Sequence, residues 1–376
     1  MPLRIAWRIL TDQKGRTALA TGGIFIAILL VFIELGFFVA VPQGGMLIYD
    51  HMRFDLLVVS NKYLFQAQSG HFARARLDDA RKVAAVAQAT PLYLGNGKWQ
   101  GASGDPKLDM AVVAIDPAAD VFTAPEIARQ KAVLERPDTV LVDSATRTLF
   151  GPLAPGRVVD ISGHKETIGG QFVLGTGFLG LGVAIVSEAN FFRLFPMRPL
   201  DTVNLGLVRL KPGADPDAAA TALRAALPAD MRVFTRPELV AHEQSYWTTR
   251  TGTGLIFGSG LVVSFVVGIM VLYQTLATQI TRQLPQFATL KAIGYTNRFL
   301  DMIVLTESFL IMVVAFVPAL GAALVVYGQV RAQTLLPLHL TAAQLGIVFA
   351  LTVMMAAFSA LLSLSGLRRA DPAEIF

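Results

Sequence analysis

Two carboxylates, Glu34 and Glu307, fall inside long apolar runs of the chain. An ionised carboxylate in hydrocarbon is costly, so each must face a partner helix, a cavity or a substrate. Tyr273 is a third polar group in such a run. The rest of the usual chemical repertoire is thin. There are no cysteines, which excludes disulfides, thiolate nucleophiles and Cys-ligated metals. The five histidines (His51, His71, His164, His242 and His339) show no i, i+4 pairing, so no metal site is predicted. Gly175-Thr-Gly-Phe-Leu-Gly180 spells G-x-G-x-x-G, but a strand-like run, Leu181–Ser187, follows where a dinucleotide site needs a helix. That spacing predicts a glycine-rich turn. No phosphate-binding G-x-x-x-x-G-K-[ST] loop occurs, since Gly97-Lys98 is followed by Trp99. No catalytic residue and no cofactor are predicted, and any energy from ATP must come from a partner.

The segment most suited to a partner is Arg282-Gln-Leu-Pro-Gln-Phe-Ala-Thr-Leu-Lys-Ala-Ile-Gly-Tyr-Thr-Asn-Arg298. Read as a helix, it sets Phe287, Leu290 and Ile293–Gly294 on one side and Gln286 and Lys291 on others. A short helix lying across a membrane surface, with an apolar side free, suits docking into a groove on a soluble protein.

These residues need a scaffold. The chain is 53% hydrophobic and 16% charged, where a soluble protein carries about a quarter charged residues, and its mean hydropathy is +0.54. The apolar excess is concentrated in residues 17–41, 253–276, 300–327 and 343–367, each longer than the roughly 18 residues that read as a membrane span. Gly254 and Gly258, and the ladder Ala315, Ala319 and Ala323, place small residues where helices could approach closely, and Pro318 should kink the third helix. The first run is too long for a signal-peptide core and lacks a small-x-small cleavage site, so it reads as a retained anchor.

Charge sets the orientation. Arg4, Arg8, Lys14 and Arg16 precede the first run, Arg282, Lys291 and Arg298 lie between the second and third, and Arg368-Arg369 follow the fourth. By the positive-inside rule both termini and residues 277–299 are cytoplasmic, with 42–252 and 328–342 outside. The net charge of +5 thus follows topology, which argues against nucleic acid. Residues 1–16 read as a cytoplasmic amphipathic helix and 368–376 as a cytoplasmic tail. Within 42–252, strand-like runs (55–60, 110–115, 139–142, 158–162, 183–187, 203–208 and 231–234) alternate with helical stretches at 77–88 and 216–227. The expected fold is a four-transmembrane-helix bundle carrying a large α+β periplasmic domain between helices 1 and 2. Two lobes are expected, with 122–152 as an insertion.

The segment Leu284-Pro-Gln-Phe-Ala-Thr-Leu-Lys-Ala-Ile-Gly294, followed by a helix containing Glu307, resembles the signature of FtsX/MacB-type ABC transporter permeases. The ends, Leu3–Leu10 with Arg16–Leu19 and Arg369–Ile375, look similar too, and the Leu-Pro pair resembles the DevC-like subgroup. Gln286 stands where that family usually has Glu. The resemblance implies a homodimer in the bacterial inner membrane, working with two copies of a separate ABC ATPase. Membrane lipids, a periplasmic adaptor of the membrane-fusion type and a TolC-like outer-membrane channel are the other implied partners. The implied ATPase-coupling residues are Gln283, Pro285, Gln286, Phe287, Leu290, Lys291, Ala292 and Gly294. ATP-driven movement of that helix would move the external domain and drive efflux by mechanotransmission, without a pore through this membrane. Two alternatives stay open: lateral extraction of an amphiphile (lipid, haem or lipoprotein) past Glu34 or Tyr273, and FtsX-like regulation of a periplasmic cell-wall hydrolase.

Overall fold

The computed structural model describes residues 14–101, 105–175, 180–334 and 336–369. The expected helix at 1–16 and tail at 368–376 lie largely outside them. The chain divides into a helical unit (Met1–Ala40, Gly252–Ala332 and Leu338–Phe376) and a sheet unit (Val41–Thr251 with Gln333–Pro337).

Helix α1 (Lys14–Gly44) enters the sheet unit, where the short helix α2 (Leu47–Asp50) leads to strand β1 (Leu56–Ser60). After β2 (Phe72–Ala73) and α3 (Ala75–Arg81) comes the longest strand, β3 (Val86–Gln100), then β4 (Leu108–Ile115). The helices α4 (Pro125–Arg129) and α5 (Lys131–Leu134) precede β5 (Thr139–Asp143), β6 (Val158–Ile161), β7 (His164–Phe172) and β8 (Val183–Ser187). The unit finishes with α6 (Glu188–Leu194), β9 (Thr202–Val203), β10 (Leu205–Leu210), α7 (Pro216–Ala226), β11 (Met231–Thr235) and α8 (Arg236–Ser245).

Strand order is β11-β1-β10-β3-β4-β8-β5-β7-β6, with a further pairing of β3 to β6. Two lobes result, joined through β3. Its first half, through Leu92, pairs with β10 in an antiparallel sheet; its second half, from Tyr93, pairs with β4 and, at Trp99 and Gln100, with β6. That last pairing closes the β3-β4-β8-β5-β7-β6 sheet on itself, which removes its free edges. Strands β1, β5 and β8 are buried along their whole length, as continuous apolar runs covered on both faces should be. Leu56 and Val58 enter one core cluster, Leu57 and Val59 the other.

Two expectations change here. The helix predicted over 77–88 ends at Arg81, and Val86–Gln88 already belong to β3. Residues 122–152 are no insertion either, because they supply β5, which sits between β8 and β7. Among the helices, α8 starts on a capping box in which Thr235 and Glu238 satisfy each other's backbone N–H groups, with Pro237 in its first turn.

In the helical unit, α9 (Gly252–Ala292), α10 (Asn297–Thr334) and α11 (Ala342–Arg369) join α1. Among the described residues, four helical stretches are long and apolar enough to cross a membrane: Thr21–Gly44, Gly252–Ala292, Asn297–Ala332 and Ala342–Leu364. Their shared core contains Ile28, Phe32, Leu272, Ile303 and the fully buried Ala315, Ala319 and Ala323. The closest helix approaches are elsewhere than at Gly258, where an added Cβ would meet Phe38 at an ordinary 3.7 Å. At Gly36 a Cβ would clash with the Tyr327 hydroxyl, which donates a hydrogen bond to the Phe32 carbonyl. Tyr327 is itself buried, so it cannot swing away cheaply. Gly36→Ala is therefore expected to cost about 1–3 kcal/mol by overpacking. Thermal unfolding of the detergent-solubilised protein checks this, and Tyr327→Ala in the same chain should remove most of the added cost. Additive effects of the two changes would show that the two groups do not meet.

Candidate coupling site

The buried residues of α9 form one stripe: Ser264, Gly268, Leu272, Leu276, Ile280, Gln283 and Phe287. Their spacing of three or four keeps a single helix face against the bundle. The stripe runs through residues 277–292 without a break. The expected separate helix lying across the membrane surface is thus replaced by an extension of the second span. At 1.5 Å per residue α9 is about 60 Å long, roughly twice the thickness of the hydrocarbon core. The extension cannot all be in lipid.

Pro285 lies inside this continuous helix on its exposed side, where it removes the N–H that would bond the Thr281 carbonyl. The helix ends in a Schellman cap. The Tyr295 N–H donates to the Leu290 carbonyl at 3.1 Å, the Gly294 N–H to the Lys291 carbonyl at 3.0 Å, and Gly294 has φ +102°. A side chain at that φ would be strained, so the Ala-Ile-Gly sequence is first of all a helix stop. Tyr295 then stacks on Phe299 with ring centroids 4.6 Å apart as α10 begins.

Burial sorts the expected coupling residues into two sets. Phe287 and Gln283 are buried in the bundle, and Leu290 packs against the same core. This corrects the reading of Phe287 as a docking side chain: as one of the larger apolar groups on the stripe, it is taken up by the protein's own core. Pro285, Gln286, Lys291, Ala292 and Gly294 are exposed, and so is Ile293, at 71% the most exposed large apolar residue of the extension. Sequence reasoning grouped Ile293 with Phe287 and Leu290 on one face. The end of the helix at Ala292 takes it off that face.

Gln283 also meets a residue read separately from it. The carboxyl of Glu307, on α10, lies against the Gln283 side chain, and both are buried. Next to it, Ser308 Oγ donates to the Ala356 carbonyl at 2.9 Å. Both Glu307 carboxylate oxygens are buried without a hydrogen-bond partner among the described residues, so what joins the α9 extension to the third span here is packing. Glu34 lies elsewhere, its carboxyl packed over Gly260, where a Cβ would come within 2.5 Å. Tyr273 is 13 residues further along α9, about 20 Å away along the helix, so Glu34 and Tyr273 do not form one site.

Residues 17–226 match the MacB-like periplasmic core domain, and residues 258–372 match the FtsX-like permease C-terminal domain. The chain belongs to the FtsX/MacB-type ABC permease family. Among solved structures, this permease is similar to the periplasmic region of MacB from Actinobacillus actinomycetemcomitans, with 11% identity over 48% of this chain and 88% of that one and a TM-score of 0.35. It is also similar to the extracellular domain of the ABC-type transporter YknZ from Gram-positive bacteria, with 14% identity over 48% and 99% and a TM-score of 0.33. A comparison with curated proteins gives no match. The second family match covers most of α9, the Gly294 turn and α10, so the exposed rim at 285–294 lies within the segment shared with FtsX-like permeases.

Proposed function

We propose that this permease subunit of an ABC transporter is driven by two copies of a separate ATPase, which grip the exposed rim Gln286, Lys291, Ile293 of a homodimer. The observation that carries this reading is the continuity of α9. A push at Ile293 would be transmitted along the buried stripe of α9, through Phe287 and Leu272, toward the end of the helix that is joined in sequence to the sheet unit at Thr251. By the positive-inside rule that rim, and both termini, are on the cytoplasmic side of an inner membrane and the sheet unit is periplasmic. ATP binding would then shift the second and third spans together, through Glu307 and Gln283, and change the position of the periplasmic domain. Substrate would leave through an adaptor and an outer-membrane channel.

Photo-crosslinking groups placed at Gln286 and at Ile293 in cells test the reading. Adducts to a nucleotide-hydrolysing subunit are expected from both positions. Adducts to lipid alone, or labelling of the rim from the outside of intact cells, would overturn it. One observation favours lateral extraction as a second reading: Glu34 keeps one buried carboxylate oxygen without a protein partner beside Gly260. Tail-labelled lipid crosslinking to Phe38 or Gly260 would support it.

A further inference from the structure

A cavity of about 320 Å³ opens in the sheet unit beside the middle of β3. Its origin is topological. Strand β10 pairs with β3 only as far as Leu92, β4 takes over from Tyr93, and the partners diverge from there. Asn204, just before β10, spans the gap and is 4% exposed. Its Nδ2 donates to Ser69 Oγ at 3.0 Å and to the Gly70 carbonyl at 2.8 Å. Its Oδ1 accepts from the Leu94 N–H at 2.9 Å and from Arg198 Nη2 at 2.6 Å. With both N–H donors and both lone pairs used, Asn204 has nothing further to offer Arg198.

Arg198 is held in place from the other side. Gly95 leaves room for the rings of Phe191 and Phe195, which would lie 2.7–3.0 Å from a Cβ there. The turn that follows is closed by the Arg198 N–H donating to the Phe195 carbonyl at 3.0 Å. The half-buried guanidinium stands 5.9 Å from the Phe191 ring centroid, and burial holds it below its usual range. Among the described residues it forms no ion pair, and its side-chain hydrogen bond goes to Asn204 alone. Around it the cavity is lined by the polar groups of Gln68, His71 and Asn96, and by no carboxylate. A half-buried cation with donors to spare, in a lined cavity free of acids, is arranged for a negative ligand that presents two oxygens to the fork.

We propose that this cavity binds a small oxyanion group, a carboxylate or a phosphate, with Arg198 as its charged anchor. The site is independent of the coupling rim. Isothermal titration of the full-length protein in detergent, with inorganic phosphate or citrate and ionic strength held by sodium chloride, tests it. Saturable binding of at least one probe is expected, and which of the two saturates distinguishes phosphoryl from carboxylate ligands. Arg198→Gln should weaken that binding by about tenfold or more, and Arg198→Lys should keep part of it. Because Arg198→Gln also removes the bond to Asn204, Asn96→Asp is measured beside it. This change leaves that network whole but sets a negative charge in the cavity wall, so it should weaken binding as well. Absence of saturable binding for both probes at millimolar concentration overturns the proposal, as does wild-type affinity in both Arg198→Gln and Asn96→Asp.

Discussion

Ile293→Asp is expected to abolish partner-dependent stimulation of ATP hydrolysis while shifting the stability of the purified permease by no more than about 0.5 kcal/mol, the usual range for an exposed site. Phe287→Ala, six residues earlier, should do the reverse in origin. It removes a ring from the bundle core and should cost about 3–5 kcal/mol of stability, with any loss of coupling following from that. The pair separates the two roles that one amphipathic segment combines. Ile293 can meet a partner because the helix has ended one residue before it and the Gly294 cap turns the chain away. Phe287 cannot, because it is 5% exposed and belongs to the same cluster as Ile280 and Leu300. The checks are ATPase activity in proteoliposomes containing both subunits and thermal unfolding of each variant. Should Ile293→Asp keep full stimulation in a folded protein, the rim is not where force enters.

The difference between those two residues marks how far the sequence could be read. The four spans are legible because lipid demands long runs without charge, and those runs survive any detail of packing. The positive-φ glycine at 294 was visible only as a motif letter; its physical meaning, a Schellman cap, depends on hydrogen bonds from Tyr295 and Gly294 that spacing alone does not show. An apolar helix face does not say whether it is covered by the protein's own third span or by another protein, so Phe287 and Ile293 look alike until Leu300 and Ile303 are in place. Strand β3 was hidden for a different reason. It changes partners at residue 92, and its burial is irregular along its length, so neither alternation nor a continuous apolar run marks it. Asn204 and Arg198 meet beside that change, and nothing in their local sequence links them to Ser69 or Leu94.

The second large effect concerns pH. Burial pushes the Glu243 carboxyl up to about 7 from its ordinary 4.5, against the opposing effect of the hydrogen bond it accepts from the Tyr63 hydroxyl. Tyr63 in turn meets the Tyr49 hydroxyl at 2.7 Å, so a buried chain of three groups lies within the sheet unit. Glu166 is likewise pushed up by burial to about 7, although Asn190 Nδ2 donates to it at 2.7 Å. Between these values and 4.5 the folded state holds protons that the unfolded state has released. Stability from each group is therefore full below about 4.5 and lost as pH rises through 7, a loss on the order of 3 kcal/mol per carboxyl. His242 works in the opposite direction. Burial, then Arg232, lower its pKa, so its contribution grows as pH rises toward its ordinary 6.5. The carboxylates outnumber it, and the permease should unfold at lower temperature at pH 8 than at pH 5. Glu243→Gln keeps the acceptor for Tyr63 without the charge, and with Glu166→Gln it should flatten the profile and raise stability at pH 8. If the double variant keeps the wild-type slope, the two carboxyls are already ionised in the folded protein, and the buried chain from Tyr49 to Glu243 holds a charge that some other group must balance.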